Sequence, residues 1–435
     1  MNPAVARAIA ALLQKIEFIG SLFILVIVPT FQTQPRWIQV SVSALIYVFI
    51  FGLTVQYGKR ILYALTKDKI LLLFTLLAFV SLLWTADPSS TSDQLRFLLR
   101  ATLFGVYLAV RYPLPQLMNL LSWVFRLTIV LCFVVSLAFP EVGQQDYEGI
   151  QAWTGIFTHK QNLGAYMGLA TAFFVNRLFA KEGSRWQSIP WLVLAFVLVL
   201  FSNSATGLVI ALMSVLLMPL YRLIQVKGTF RNVVLIFSLA VLGAIATLVI
   251  LNFQLIVVDF LGKDPGLTGR IPLWIMSINK GMERPWLGFG YSGFWSSYVS
   301  DVVLFNSWAV TDPGFRERLV PFHSHNGYVD LFLQLGFVGL ILFVLSFITL
   351  MGRIINLLLK TRSIHYFWMM QFAGVFLVNN YSEALNILHQ SFLWIIYVAL
   401  SHITALETYR SRHHQPAVSA EAAPLQTSLI TQNPR

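Results

Sequence analysis

The residues best suited to chemistry stand in one short run, His323-Ser-His-Asn-Gly-Tyr328. A neutral imidazole at His325 can take a proton from a hydroxyl near physiological pH, which is general-base work. Asn326 beside it is a good helix N-cap, and His323 offers a second ring. The plain alternative for His325 is an interfacial histidine that packs or bonds to backbone. Upstream, the guanidinium of Arg270 can grip a diphosphate in bidentate fashion and stabilise it as a leaving group. A lipid headgroup or a salt bridge to Asp259 or Asp264 would use Arg270 equally well. Arg316 and Arg318 flank Glu317, which fits a solvated charge cluster or a supporting role at the same site. Arg126 lies near the middle of an apolar run, where an arginine is costly and is either functional or paired with a carboxylate. Glu383, at the edge of another run, has the same two readings. Arg100 stands four residues after Arg96 and reads as snorkelling to the membrane surface. His413-His414 sits on a polar tail and reads as surface rather than metal site. The chain contains no glycine-rich phosphate loop, no HExxH and no acidic cluster of the DxD kind. That argues against a metal-dependent sugar-nucleotide transferase, and neither a metal nor a cofactor is expected.

These residues must be positioned by an unusually apolar chain. Of 435 residues 57% are hydrophobic and 11% charged, with a mean hydropathy of +0.72. Soluble domains carry roughly 25% charged residues, so a soluble protein of this size could not cover its surface. Room exists for about twelve spans of ~20 residues each, and the chain reads as an all-α polytopic membrane protein. The 30 Lys and Arg outnumber the 18 Asp and Glu. They cluster between apolar runs, which is a topology signal and no sign of nucleic acid. The single cysteine, Cys132, excludes an intrachain disulfide and a cysteine-based metal site. The first apolar run, Phe18–Val28, has no small-residue cleavage site after it and reads as a retained span.

Apolar runs bounded by charge or by Gly and Pro predict spans near 16–30, 37–55, 69–84, 96–110, 116–139, 163–180, 188–203, 205–222, 232–251, 327–350, 364–381 and 386–404. Only Ser202-Asn203-Ser204 separates the seventh from the eighth. With the N-terminus in the cytoplasm, the short loops on the far side hold only Arg36, Arg96 and Lys160, while most other Lys and Arg fall on the cytoplasmic side. Both termini are therefore expected to be cytoplasmic. The expected organisation is nine spans over 1–251, a large periplasmic loop over 252–326, three spans over 327–404 and a disordered cytoplasmic tail over 405–435. Within the loop, Ile271–Met282 predicts an amphipathic helix lying on the membrane, with Trp274 and Trp286 as anchors.

His325-Asn326, followed by Gly336 and Gly339, resembles the signature of the O-antigen ligase and O-antigen polymerase superfamily. Other segments resemble it in the same order: Leu83-Trp84 with Asp87-Pro88, Gly155-Ile-Phe-Thr-His-Lys-Gln-Asn-Leu-Gly164, Thr268-Gly-Arg with Trp274, Arg284-Pro-Trp-Leu-Gly-Phe-Gly290, and Ser382-Glu383. The likeness runs from about residue 80 to residue 400. It implies a membrane-embedded glycosyltransferase with a GT-C-like fold in the bacterial inner membrane. Such a transferase moves a glycan from an undecaprenyl-diphosphate carrier to a hydroxyl at the periplasmic face, with inversion and without metal or nucleotide sugar. By the family's pattern His325 would be the base and Arg270 would bind the carrier's diphosphate. Ligases of the superfamily have a Ser-Arg pair after the seventh span, where this chain has Ser202-Asn-Ser-Ala-Thr-Gly207 and no arginine. Lys160 is the candidate for that missing charge. These stretches are more similar to exopolysaccharide polymerases of the succinoglycan type. The resemblance therefore implies polymerisation of lipid-linked repeat units, with a chain-length-regulating co-polymerase as a candidate partner. Two alternatives stay open: a ligase whose acceptor is lipid A–core, and a polytopic transporter that would use Arg126.

Overall fold

The computed structural model describes residues 3–29, 36–147, 149–180, 185–225, 270–311, 322–383 and 386–413. The apolar runs form helices, and polar residues between them punctuate the chain. In order they are α1 (Pro3–Ile27), α2 (Arg36–Leu65), α3 (Lys69–Val80), α4 (Pro88–Arg111), α5 (Leu114–Ala138), α6 (Lys160–Phe179), α7 (Ile189–Phe201), α8 (Ala205–Leu216), α9 (Arg270–Gly281), α10 (Gly327–Thr361), α11 (Ile364–Ser382) and α12 (Phe392–Arg412). Side-chain caps set many of the starts: Asp68 accepts from Leu71 N–H, Asp87 from Ser89 and Ser90, Ser204 from Gly207, and Ser391 from Trp394. A small antiparallel hairpin, β1 (Gln144–Tyr147) with β2 (Ile150–Trp153), interrupts the helical pattern between α5 and α6.

Six helices among the described residues are long and apolar enough to cross a membrane, and α3 and α7 are shorter apolar helices. The chain is thus a mainly helical, polytopic membrane protein. The predicted span 232–251 lies outside the described residues. Several predicted boundaries change: α2 and α10 run on past their predicted ends at 55 and 350, to Leu65 and Thr361. The last span, expected over 386–404, starts only at Phe392, because Asn386–Ser391 forms a turn with Leu388 in the left-handed region (φ 52°). Apolar Ile387 and Leu388 conceal that turn from any hydropathy reading. The same helix then continues to Arg412 and buries Ala405 and Leu406, so the tail expected from 405 is helical at its start.

Helix α6 sits centrally, against α7, α8 and α11, while α4 packs on α2 and α12 and α10 on α3 and α11. The approach of α6 to α8 leaves no space for side chains: a Cβ at Gly207 would fall 2.5 Å from the Gly164 carbonyl carbon. The Gly155–Gly164 and Ser202–Gly207 stretches, far apart in sequence, therefore meet in one interface. Two carboxylates inside the bundle meet arginines. Glu17 of α1 meets Arg111 of α4, and Asp68 accepts from Arg353 Nη1 and from Ser401 Oγ, each at 2.6 Å. Arg100, expected to snorkel, is instead 3% exposed, with its guanidinium 4.7 Å from the Tyr47 ring. Helix α2 covers it before it can reach the surface, and the cation rests on an aromatic face.

Candidate active site

The described part of the 252–326 segment packs with the start of α10 around a small apolar core, in which Leu273, Phe289, Phe294, Phe322 and Leu333 are buried. Helix α9 realises the amphipathic helix predicted over Ile271–Met282, but its buried face, with Leu273, Ser277 and Gly281, rests on the start of α10. Trp274 is accordingly not a free anchor. Its indole N–H donates to Ser324 O at 2.8 Å, while Trp286 stays 65% exposed.

The start of α10 is built round a break. Gly336 has φ 62° and ψ −161°, a conformation open essentially only to glycine. The backbone groups released there are taken up by Pro285–Gly290. Phe289 and Gly290 donate to the carbonyls of Leu333 and Gln334 at 2.8 and 2.9 Å, and Phe337 and Val338 donate to those of Pro285 and Trp286 at 2.8 and 3.1 Å. The early outer loop joins the same junction, since Ala86 N–H donates to Phe289 O and Trp84 Nε1 to Leu287 O. Three segments that looked like separate motifs are thus one hydrogen-bonded unit, and the His323–Asn326 turn stands immediately before it.

That turn is fixed from several sides. Asn326 caps α10 by accepting from Tyr328 and Val329 N–H at 3.0 and 3.2 Å. Buried Asp330 accepts from Trp295 Nε1 at 2.8 Å and from Ser324 N–H at 3.2 Å. His325 itself lies in the left-handed region (φ 55°), a strained choice for a side chain with a Cβ. Its N–H donates to His323 Nδ1 at 3.1 Å, so the neutral His323 ring carries its proton on Nε2. His325 Nδ1 is buried and meets no hydrogen-bond partner among the described residues.

Around this turn the ends of several helices converge. Donor atoms of His323, His325 and Glu383, which follows α11, lie within 4.8 Å of one another. Arg270, the first residue of α9, acts electrostatically on His159, His323, His325 and Glu383. His159 caps α6 by accepting from Gln161 N–H, which puts buried Lys160 at the same helix start. The N-termini of α6, α9 and α10 add their positive ends to two basic side chains, an arrangement suited to an anion. Burial, then the neighbouring His323, Arg270 and His159, lowers the His325 imidazole to about 3. Burial with His389 and Arg270 lowers His323 to about 4. Burial raises the Glu383 carboxyl to about 7 against the opposing pull of Arg270. At neutral pH both rings are uncharged and the carboxyl is half ionised. The trio has the composition of a cation site, but the fixed charge of Arg270 beside it disfavours one, and proton handling suits it better.

Of the residues singled out by sequence, His325, His323, Arg270, Lys160, Asn326 and Glu383 come together here. Arg316 and Arg318 lie outside the described residues. Arg126 is not brought to the group. It sits midway along α5 with its guanidinium 5.4 and 5.5 Å from the rings of Trp123 and Trp191, and indole faces offset its burial. Sequence reading missed two members. His159 stood inside a quoted motif, and its position just ahead of a helix start was the available signal. His389, lowered by burial to about 4, lies in the concealed turn before α12.

The chain is similar in sequence to known proteins. Residues 190–344 match the model of the O-antigen ligase family. The exopolysaccharide production protein ExoQ of Rhizobium meliloti (strain 1021) is 25% identical over 341 residues, covering 76% of this chain and 75% of that protein. A protein of Rickettsia conorii named as a candidate polysaccharide ligase is 30% identical over 102 residues, 22% of this chain and 23% of its own length. One of Rickettsia felis, named likewise, is 32% identical over 85 residues, 20% of each chain.

Proposed function

The chain is of the O-antigen ligase/polymerase-type family, and from that premise we propose that it is an inverting, metal-independent membrane glycosyltransferase that polymerises undecaprenyl-diphosphate-linked oligosaccharide repeat units. The observation that carries this reading is the convergence of a base, a carboxyl and a fixed cation at His325, Glu383 and Arg270, at the start of a broken membrane helix. The acceptor hydroxyl oxygen forms its bond to the anomeric carbon as the bond from that carbon to the diphosphate breaks. The electron pair leaves with the diphosphate, and the hydroxyl proton passes to His325. Arg270, Lys160 and the helix N-termini hold the negative charge that appears on the leaving group. An imidazolium beside Arg270 is unfavourable in the free protein. The donor's own diphosphate charge and an ionised Glu383 offset that repulsion, so His325 becomes a better base once the donor is bound. Glu383 acts through His325 and is a positioning residue.

The polymerase reading is favoured over a lipid A–core ligase by the length of the match to ExoQ; the ligase-named relatives match only about a fifth of the chain. On this reading the His325 end of the bundle faces the periplasm, the Lys- and Arg-rich loops face the cytoplasm of the inner membrane, and a chain-length-regulating co-polymerase is a candidate partner. A transporter would need Arg126 on a pathway, and its seat between two indoles speaks against that. The test is reconstitution in liposomes with an undecaprenyl-diphosphate oligosaccharide from the host, product length being followed on a gel. A ladder that vanishes in His325→Ala is the expected result. Transfer only after lipid A–core is added would make the protein a ligase. No product from an authentic donor in either format would overturn the transferase reading.

A further inference from the structure

Beside His325 stands an aromatic side chain that proton transfer does not use. From Phe289 a row of rings runs through Phe294, Trp295 and Phe322 to Trp308, with neighbouring centroids 4.8 to 5.5 Å apart. The row is fixed at its middle, where Trp295 Nε1 donates to Asp330 Oδ1 at 2.8 Å. Phe289, Phe294 and Phe322 are buried, but Trp308 keeps 39% of its surface exposed. Its ring stands 5.9 Å from that of His325 and 5.5 Å from that of Phe322, and the Phe322 and His325 rings are 6.4 Å apart. These three rings brace one another, and Trp308 is the one that reaches the surface. It opens a short turn, Trp308–Thr311, in which Thr311 Oγ1 donates to Trp308 O at 2.8 Å.

An exposed indole next to a base has a specific use when the base must deprotonate a hydroxyl. That hydroxyl oxygen comes within about 2.6–3.2 Å of the imidazole, so the molecule carrying it also lies against Trp308. The face of an aromatic ring is negative and attracts weakly positive C–H groups. A pyranose offers such a surface, because axial C–H bonds project from its ring face while its hydroxyls point outward. Exposed Asn306 and Thr311, each within three residues of Trp308, bring a carboxamide and a hydroxyl suited to those outward hydroxyls. A sugar held by one hydroxyl alone could turn. A sugar stacked on Trp308 presents one hydroxyl to His325 and directs the others away. We propose that Trp308 is the stacking platform for the acceptor pyranose and selects the hydroxyl that His325 receives. A prenyl chain is the competing occupant, since Val302 and Phe305 on the same segment are also exposed. It fits less well, because it carries no hydroxyl for His325 to activate. That the bound sugar is an acceptor rests on the transferase reading, whereas glycan binding at Trp308 is measured without turnover.

The experiment is saturation-transfer NMR of the detergent-purified full-length protein, titrated with the host's repeat-unit oligosaccharide freed of its lipid diphosphate. One sugar of the unit should receive most of the saturation, on the C–H protons of a single ring face. Binding should be about tenfold weaker in Trp308→Ala, the worth of an aromatic contact of about 1.4 kcal/mol, and persist in Trp308→Phe. If Trp308→Ala fails to fold, Trp308→Leu, which keeps an apolar side chain and removes the ring, carries the comparison. In the liposome assay the same variants should raise KM for the repeat unit more than they lower kcat. Binding as tight as wild type in Trp308→Ala or Trp308→Leu overturns the platform, and a His325-dependent ladder from those proteins would leave the transferase reading standing. Trp308-dependent binding without product from any donor supports the glycan site and overturns the transferase reading instead. Trp308-dependent saturation of sugar-free undecaprenyl phosphate, with none on the oligosaccharide, makes Trp308 a lipid contact and overturns the proposal.

Discussion

His325 is held in a left-handed backbone conformation, and one of its ring nitrogens is buried without a partner. Both are costs for the folded state, and both aim a neutral imidazole into a basic pocket. If it is the base, His325→Ala should lower turnover on the order of a hundred- to ten-thousandfold, the usual worth of positioned general-base catalysis, while donor binding survives. Arg270→Ala should instead weaken donor binding as well as turnover. Lys160→Ala with normal turnover would remove Lys160 from the diphosphate site. Glu383 makes a pH prediction. Its carboxyl is raised to about 7, so it ionises as pH rises through neutrality, and the imidazolium formed in the reaction is then better stabilised. The rate of the wild type should climb through about pH 7, and Glu383→Gln should be slower and lose that rise; an unchanged profile would assign Glu383 a merely structural role. His325 and Glu383 were legible as chemically loaded types at the edges of apolar runs, and Arg270 as a cation in the Thr268-Gly-Arg segment of the large loop. His389 was not, because the turn that delivers it is written in apolar residues.

At the scale of elements, the informative unit is the break in α10. A hydropathy profile sees an uninterrupted apolar run from residue 327 onward, and it cannot see that Gly336 hands four backbone hydrogen bonds to Pro285–Gly290. The spacing of His325 to Gly336 is explained physically by this junction: the same few turns of helix carry the base at one end and the break at the other. A Cβ at Gly336 would meet the Trp286 carbonyl carbon at 2.3 Å in a backbone region closed to L-residues. Gly336→Ala should therefore destabilise by more than the ~1–2 kcal/mol of a left-handed residue alone, read as a lower Tm in detergent and a loss of activity without any change at His325 itself. A wild-type Tm in that variant would mean the break is not what joins the two segments. Trp274→Phe is the milder companion. It removes one hydrogen bond to Ser324 O, worth about 1 kcal/mol, and should reduce turnover more than stability, because that bond orients the turn bearing His325.

At the scale of the whole molecule, the helices separate two kinds of polar chemistry by the thickness of the bundle. One end pairs its charges, as in Asp68 with Arg353 and Glu17 with Arg111. The other gathers imidazole rings that must stay neutral to stay buried. The polytopic, mainly helical character was legible from the apolar runs; the convergence of five helix ends on one point was not, since it depends on which helices neighbour one another. The segregation has a consequence for stability. His323, His325 and His389 are lowered to about 4, 3 and 4, whereas in the unfolded chain each would titrate near 6.5. As pH falls from about 6.5 toward 4, the unfolded state takes up protons that the folded state refuses, so each ring destabilises the fold on acidification. Glu383 works the other way, because the folded state keeps its proton up to about 7 while the unfolded state releases it above about 4.5. Between about 4.5 and 6.5 three of these four site groups act in one direction and one in the other, and the net contribution of the site is loss of stability as pH falls. The Tm of the detergent-solubilised protein should therefore drop across that window. His389→Gln, which removes one titrating ring outside the proton-transfer path, should make the slope shallower. A Tm that stays level or rises on acidification would mean that the rings are solvated and the cluster is open to water.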